Sequence, residues 1–158
     1  SIEMVKNAKS KIKKLGLKLP NYSIPVASYI PVVHVGDLLF LSGHLAPKQG
    51  TDKNVTGKLG KDLTEEEGYK ISIDVALNLL STIKHEMGDL DKVKRIIKIL
   101  GFVNSAKGFN RQPWVINGAS EILVKIFGNK GKHARSAVGV NELPLNTPVE
   151  IEMIVQVE

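Results

Sequence analysis

Cysteine is absent from the 158-residue chain. That excludes disulfides and thiolate nucleophiles, and it favours an intracellular setting. Histidines are few, and His34, His44, His85 and His133 show no metal-ligand spacing. No apolar run approaches the roughly 20 residues that span a bilayer. No signal-peptide pattern opens the chain, so the tripeptides Asn21-Tyr-Ser and Asn54-Val-Thr are read as chance rather than glycosylation sites. The segment Gly57-Lys58-Leu59-Gly60 lacks the strand and helix that a phosphate-binding loop requires. No repeat beyond a loose strand-strand-helix duplication is evident, and no low-complexity segment. The lone tryptophan, Trp114, lies near Arg111 and is read as packing.

What is present is ordinary for one globular domain: 42% hydrophobic and 24% charged residues. The net charge of +6 is unevenly spread. Residues 1–20 hold six lysines against Glu3, while the remainder carries 16 basic and 15 acidic residues. Non-specific nucleic-acid binding draws chiefly on phosphate neutralisation, and the nearly neutral body lacks the surplus for it. We therefore divide the chain into a basic arm with its connector, residues 1–26, and a single domain, 27–158.

The arm places Ile2, Val5, Ala8, Ile12 and Leu15 at near-helical spacing, with Gly16 as a stop. This predicts an amphipathic helix lying on the body, with a membrane-surface or targeting role as the sharper alternative. Residues 20–31 read as an extended connector. Val32–Val35 and Leu38–Ser42 flank Gly36-Asp37 as a hairpin, and residues 48–60 read as a surface loop. Thr64-Glu-Glu-Glu67 is a capping box, after which Tyr69, Ile73, Ala76, Leu77, Leu80, Ile83 and Met87 share a helical face that stops at Gly88. Ile96 to Val103 reads as a strand. Pro113 opens a second helix with Val115, Ile116, Ala119, Ile122, Leu123, Ile126 and Phe127 inward. Strands near 134–141 and 148–157 close the chain. Leu38–Leu41 and Ile96–Leu100 are apolar on both faces, yet two helices cover only one side of a sheet. A second subunit is the economical cover, so an oligomer is expected.

Arg135 stands in the otherwise apolar segment from His133 to Val140. Arginine is rarely buried unless paired, and its planar fork suits a carboxylate or phosphate. Its partner is either Glu152, expected on the neighbouring strand, or the acidic group of a ligand. Counting by twos, Val149, Ile151, Met153, Val155 and Val157 share one face, while Glu150, Glu152, Ile154 and Gln156 share the other. In Ser42-Gly43-His44, alternation directs Phe40, Ser42 and His44 the same way, with Gly43 allowing close backbone approach. Triad chemistry is disfavoured there, because His44 is badly placed to take the Ser42 proton.

Tyr29 before the first strand, Ser42-Gly43, Asn117, Ala134-Arg135-Ser136 and Glu150-Ile151-Glu152 resemble, in kind and order, the Rid family of reactive intermediate deaminases. These proteins are also called YjgF-like or endoribonuclease L-PSP proteins. The resemblance covers residues 27–157. Segments around Asn104, Asn117 and 133–140 resemble a branch distinct from the best-known deaminases. It implies an α+β, chorismate-mutase-like fold: a mixed, mostly antiparallel sheet with two core helices on one face, assembled as a homotrimer with clefts between subunits. The implied reaction needs no cofactor and no metal. It hydrolyses 2-imino or enamine acids to 2-oxo acids and ammonia, in the cytoplasm, with an organelle left open by the basic arm. By resemblance Arg135 grips the substrate carboxylate, and Glu152 with a backbone carbonyl near Ala137 positions water. Tyr29, Ser42, Gly43, His44 and Asn117 would line the cleft. Ala137 stands where the family usually has Cys, His44 where Gln often stands, and Ala27-Ser28 where Gly-Pro is usual. Cleavage of single-stranded RNA and non-catalytic binding of small carboxylates are the alternative functions. Neither nucleic acid nor a membrane is an expected partner.

Overall fold

The structure is a computed structural model that describes residues 7–25 and 27–158. Among these residues five strands form one sheet: β1 (Val32–Val35), β2 (Leu38–His44), β3 (Val93–Asn104), β4 (Ala134–Val140) and β5 (Val149–Val157), in the order β1-β2-β5-β3-β4. All neighbours are antiparallel except β3 and β4. Two long helices, α2 (Glu65–Met87) and α3 (Gln112–Phe127), lie on one side, and the short α1 (Ala8–Lys14) adds to them. Residues 2–6 of the helix expected in the arm lie outside the described residues.

Helix α2 starts where its sequence dictates. The Thr64 hydroxyl accepts from the Glu67 amide at 3.1 Å, and the Glu67 carboxylate accepts from the Thr64 amide at 3.0 Å. Such a cap contributes about 1 kcal/mol. Gly88 ends the helix in the left-handed region, at φ 84°. The buried set is wider than the expected face: Ser72, Val75, Leu79 and Thr82 are buried, whereas Tyr69, Ile73 and Met87 are only partly so. The connector explains part of this, because it wraps α2 from outside the sheet. Ser81 donates to the Pro20 carbonyl at 2.8 Å, and Tyr22 stacks on His85 with ring centroids 3.8 Å apart. Residues 48–60 are less of a surface loop than composition suggests, since Leu59 is fully buried.

Helix α3 docks tightly on α2. A side chain at Gly118 would meet the Tyr69 carbonyl oxygen at 2.1 Å, so only glycine allows this approach. Ser72 ties the pair, donating to the Val115 carbonyl at 2.7 Å and accepting from the Ala119 amide at 3.0 Å.

On the sheet, Leu39, Leu41, Ile96, Ile99, Val103 and the alternate residues of β5 from Val149 to Val157 are buried against the helices. The opposite face carries no helix among the described residues. Val33, Val35, Phe40 and Val138 are exposed on it, beside half-buried Leu38, Leu100, Phe102 and Ile154. No helix among the described residues is long and apolar enough to cross a membrane.

Candidate functional site

The sheet order separates two residues expected to be neighbours. Strand β3 lies between β4 and β5, so Glu152 is not on the strand beside Arg135. The two also face opposite ways. Arg135 is in register with buried Ile99 and turns toward α3, whereas Glu152 is in register with Leu100 on the helix-free face. Sequence alternation could not reveal this, because it fixes side-chain direction within a strand but not which strands pair.

One group of residues gathers around Arg135. Its Nη1 donates to the Ser120 hydroxyl and its Nη2 to the Pro113 carbonyl, each at 3.1 Å. Pro113, Asn117 and Ser120 recur at helical spacing along one stripe of α3, so Asn117 lies between the two anchors. Asn117 also lines a cavity with Glu65, Glu66, Tyr69, Trp114 and Glu121. Trp114 is 48% exposed rather than packed inside, and the Arg111 guanidinium, paired with Glu65, lies 4.0 Å above its ring. Among the described residues no carboxylate is within ion-pairing distance of Arg135; the ion pairs are Lys70–Glu66 and Arg111–Glu65. Partial burial pulls the Arg135 pKa down, and the Glu121 charge acts in the opposite direction. A half-buried guanidinium held by neutral oxygens retains donors for an anion. Ala137 follows two residues along β4, an edge strand whose ladder runs only to β3 among the described residues, so its outer backbone edge has no strand partner there.

A second group lies on the helix-free side, at the end of β2. A bulge between Leu41 and His44 interrupts the pairing with β5 there. Ser42 donates its hydroxyl to the Ile30 carbonyl at 2.7 Å and its amide to the Pro31 carbonyl at 2.9 Å, which holds the connector carrying exposed Tyr29. The Glu150 carboxylate rests against Gly43; a side chain at that glycine would meet Oε2 at 2.0 Å. Burial raises the Glu150 pKa, and the neighbouring Glu152 charge raises it further. Glu150 is therefore the sheltered acid of the pair and Glu152 the exposed one. The resemblance implies a water-positioning role for Glu152; spacing places both acids on one face, and the close approach of Gly43 shelters Glu150 rather than Glu152.

The bulge also overturns the expected direction of His44. Past Ser42 the strand shifts phase, and His44 comes into register with buried Ile151. Its Nδ1 lies 2.7 Å from the Ser42 carbonyl and its Nε2 2.7 Å from the Thr82 hydroxyl. Both ring nitrogens are engaged inside the protein, and burial lowers the His44 pKa. No ring nitrogen is offered to the open face.

Residues 9–156 match the family described as "YjgF/chorismate_mutase-like, putative endoribonuclease". Protein TCP17 of Trypanosoma cruzi is 41% identical over 146 residues, covering 92% of this chain and 91% of that protein. A 2-iminobutanoate/2-iminopropanoate deaminase of Dermatophagoides farinae is 30% identical, covering 85% of this chain and 89% of its own. The crystal structure of a "putative endoribonuclease" from Shewanella oneidensis superposes with a TM-score of 0.90 at 30% identity, covering 96% of this chain and 99% of that one. The chain belongs to the YjgF/Rid family and has its chorismate-mutase-like fold. That family includes both a deaminase relative and structures described as endoribonucleases.

Proposed function

We propose that the protein is a cofactor-free deaminase that hydrolyses small 2-imino acids to 2-oxo acids and ammonia. The observation that carries this reading is Arg135: a half-buried guanidinium without an acidic partner among the described residues, steadied by Ser120 and Pro113. Its remaining N–H groups suit a carboxylate held by two parallel bonds. The deaminase relative from Dermatophagoides farinae supports the same chemistry.

The reaction asks little of the protein. The imine carbon is already electrophilic, so positioning supplies much of the rate. Water adds to the C=N carbon while Glu150 takes one of its protons and passes it to nitrogen, giving a carbinolamine. The carbinolamine hydroxyl proton then follows to nitrogen by way of Glu150 as the C–N bond breaks and C=O forms, and ammonia leaves a 2-oxo acid. A sheltered carboxylate with a raised pKa suits both halves of that exchange. Within one chain Arg135 and Glu150 lie on opposite faces of the sheet, so one copy does not hold both ends of a small substrate. In our reading a second copy covers the apolar helix-free face and brings its Arg135 to the Ser42, Gly43 and Glu150 group. A homotrimer with three such clefts fits this, and Tyr29, Asn117 and the Ala137 backbone then line each cleft. Glu152 tunes Glu150 from beside it.

The test follows the decay of 2-aminoacrylate generated by a dehydratase. The protein should accelerate decay, and Arg135→Ala should abolish the acceleration. No acceleration by the unaltered protein would sink the proposal. Cleavage of single-stranded RNA that disappears in Arg135→Ala, with 2-aminoacrylate decaying unaided, would replace it with the nuclease reading.

A further inference from the structure

Arg135 is the last link of a longer chain of hydrogen bonds, and the far end of that chain has no part in the reaction above. His133 Nδ1 lies 2.6 Å from the Gly131 carbonyl, which can only accept, so this nitrogen carries the proton. In the neutral ring Nε2 is then an acceptor. The Ser120 hydroxyl, 2.9 Å away, donates to it and keeps its lone pairs free for Arg135 Nη1 at 3.1 Å. Each link of this relay joins one donor to one acceptor. We propose that Ser120 and His133 are positioning residues that set the orientation of the Arg135 guanidinium through this chain. The proposal rests on the reading of Arg135 as the carboxylate-binding group.

The surroundings favour the neutral ring. Charged groups face His133 from two strands, Arg135 on β4 and Arg95 on β3, while α3 presents Ser120 and the turn after it presents Gly131. Burial lowers the His133 pKa, the two guanidiniums lower it further, and the Gly131 carbonyl opposes them. A neutral ring is the form able to accept from Ser120. A carboxylate on Arg135 would offset one of the two positive charges and ease protonation of His133, so ligand binding should be readable at a side chain that touches no ligand.

The experiment uses the full chain labelled with 15N and reads the histidine ring nitrogens by NMR. His133 should be in the Nδ1–H form at neutral pH. Its titration midpoint should rise in Arg135→Gln, and in the unaltered protein on saturation with 2-oxobutanoate, but not further when Arg135→Gln receives that compound. In turnover, Ser120→Ala should raise KM about tenfold, the worth of one hydrogen bond to a charged group, with little change in kcat, and Ser120→Thr should restore it. An Nε2–H tautomer, or a midpoint indifferent to Arg135→Gln, overturns the proposal. So does a Ser120→Ala defect confined to kcat or not rescued by threonine. A protein that neither binds 2-oxobutanoate nor consumes imines sinks only the deaminase reading, because the Arg135→Gln shift still decides the relay.

Discussion

The two halves of the candidate site are built by different means. Around Arg135 the constraint is hydrogen bonding: a guanidinium on edge strand β4 is held by a hydroxyl and a carbonyl of α3, whose position follows from close docking at Gly118. Around Glu150 the constraint is steric: a bulge in β2 brings a bare glycine under a carboxylate. The first half tolerates small motions that keep its bonds. The second does not tolerate one added methyl group. The difference suits their proposed tasks, since a carboxylate grip can adjust to its ligand, whereas an acid that handles a proton must sit at one place.

The largest effect should come from separating the halves. Loss of the two charge-assisted bonds in Arg135→Ala should lower kcat/KM by about two to four orders of magnitude. Glu150→Gln should be similarly inactive. Equal mixing of the two variants after unfolding and refolding should recover about a quarter of the unaltered activity if each cleft joins two copies. No recovery from a correctly refolded mixture would mean that one copy holds both groups. Gly43→Ala comes next: displacing Glu150 should cut kcat about tenfold or more while the thermal midpoint moves by only a few degrees. A variant with undiminished kcat would show that the close approach is incidental.

Smaller effects sharpen the contrast. Glu152→Gln removes the like charge beside Glu150, so the acidic limb of the pH–rate profile should move to lower pH. An unmoved limb would assign that titration elsewhere. His44→Gln should leave turnover nearly unchanged, because its ring faces Thr82. It should alter stability against pH instead. The folded pKa of His44 is lowered, so the unfolded chain binds the extra proton first, and stability is lost as pH falls below about 6.5. Denaturant midpoints between pH 7.5 and 5 should therefore fall less steeply in His44→Gln than in the unaltered protein.

Much of this was legible in the residues. The cap at Thr64, the stop at Gly88 and the apolar stripe of α3 are local signals, and the helices start and stop where those signals stand. Arg135 stands out in the sequence as a charge among apolar neighbours, and the structure leaves it without an acidic partner among the described residues. The direction of His44 was not legible. A bulge arises from the pairing of β2 with β5, and no local pattern in Ser42-Gly43-His44 announces it. Nor was the sheltering of Glu150 relative to Glu152, which stand two residues apart on one face and differ in what lies above them. The burial of Leu59 was equally hidden, because a loop's contacts are made with distant segments.

Local sequence sets the elements, the buried side of β5 and the placing of an arginine among apolar neighbours. These follow from side-chain periodicity and from the cost of an unpaired charge, which act over a few residues. Tertiary structure alone placed β3 between β4 and β5, turned Arg135 and Glu150 to opposite faces, and laid Ser120 and His133 behind the guanidinium. Those outcomes depend on which strands pair and how closely two helices dock, and such long-range contacts leave no mark on the spacing of neighbouring residues.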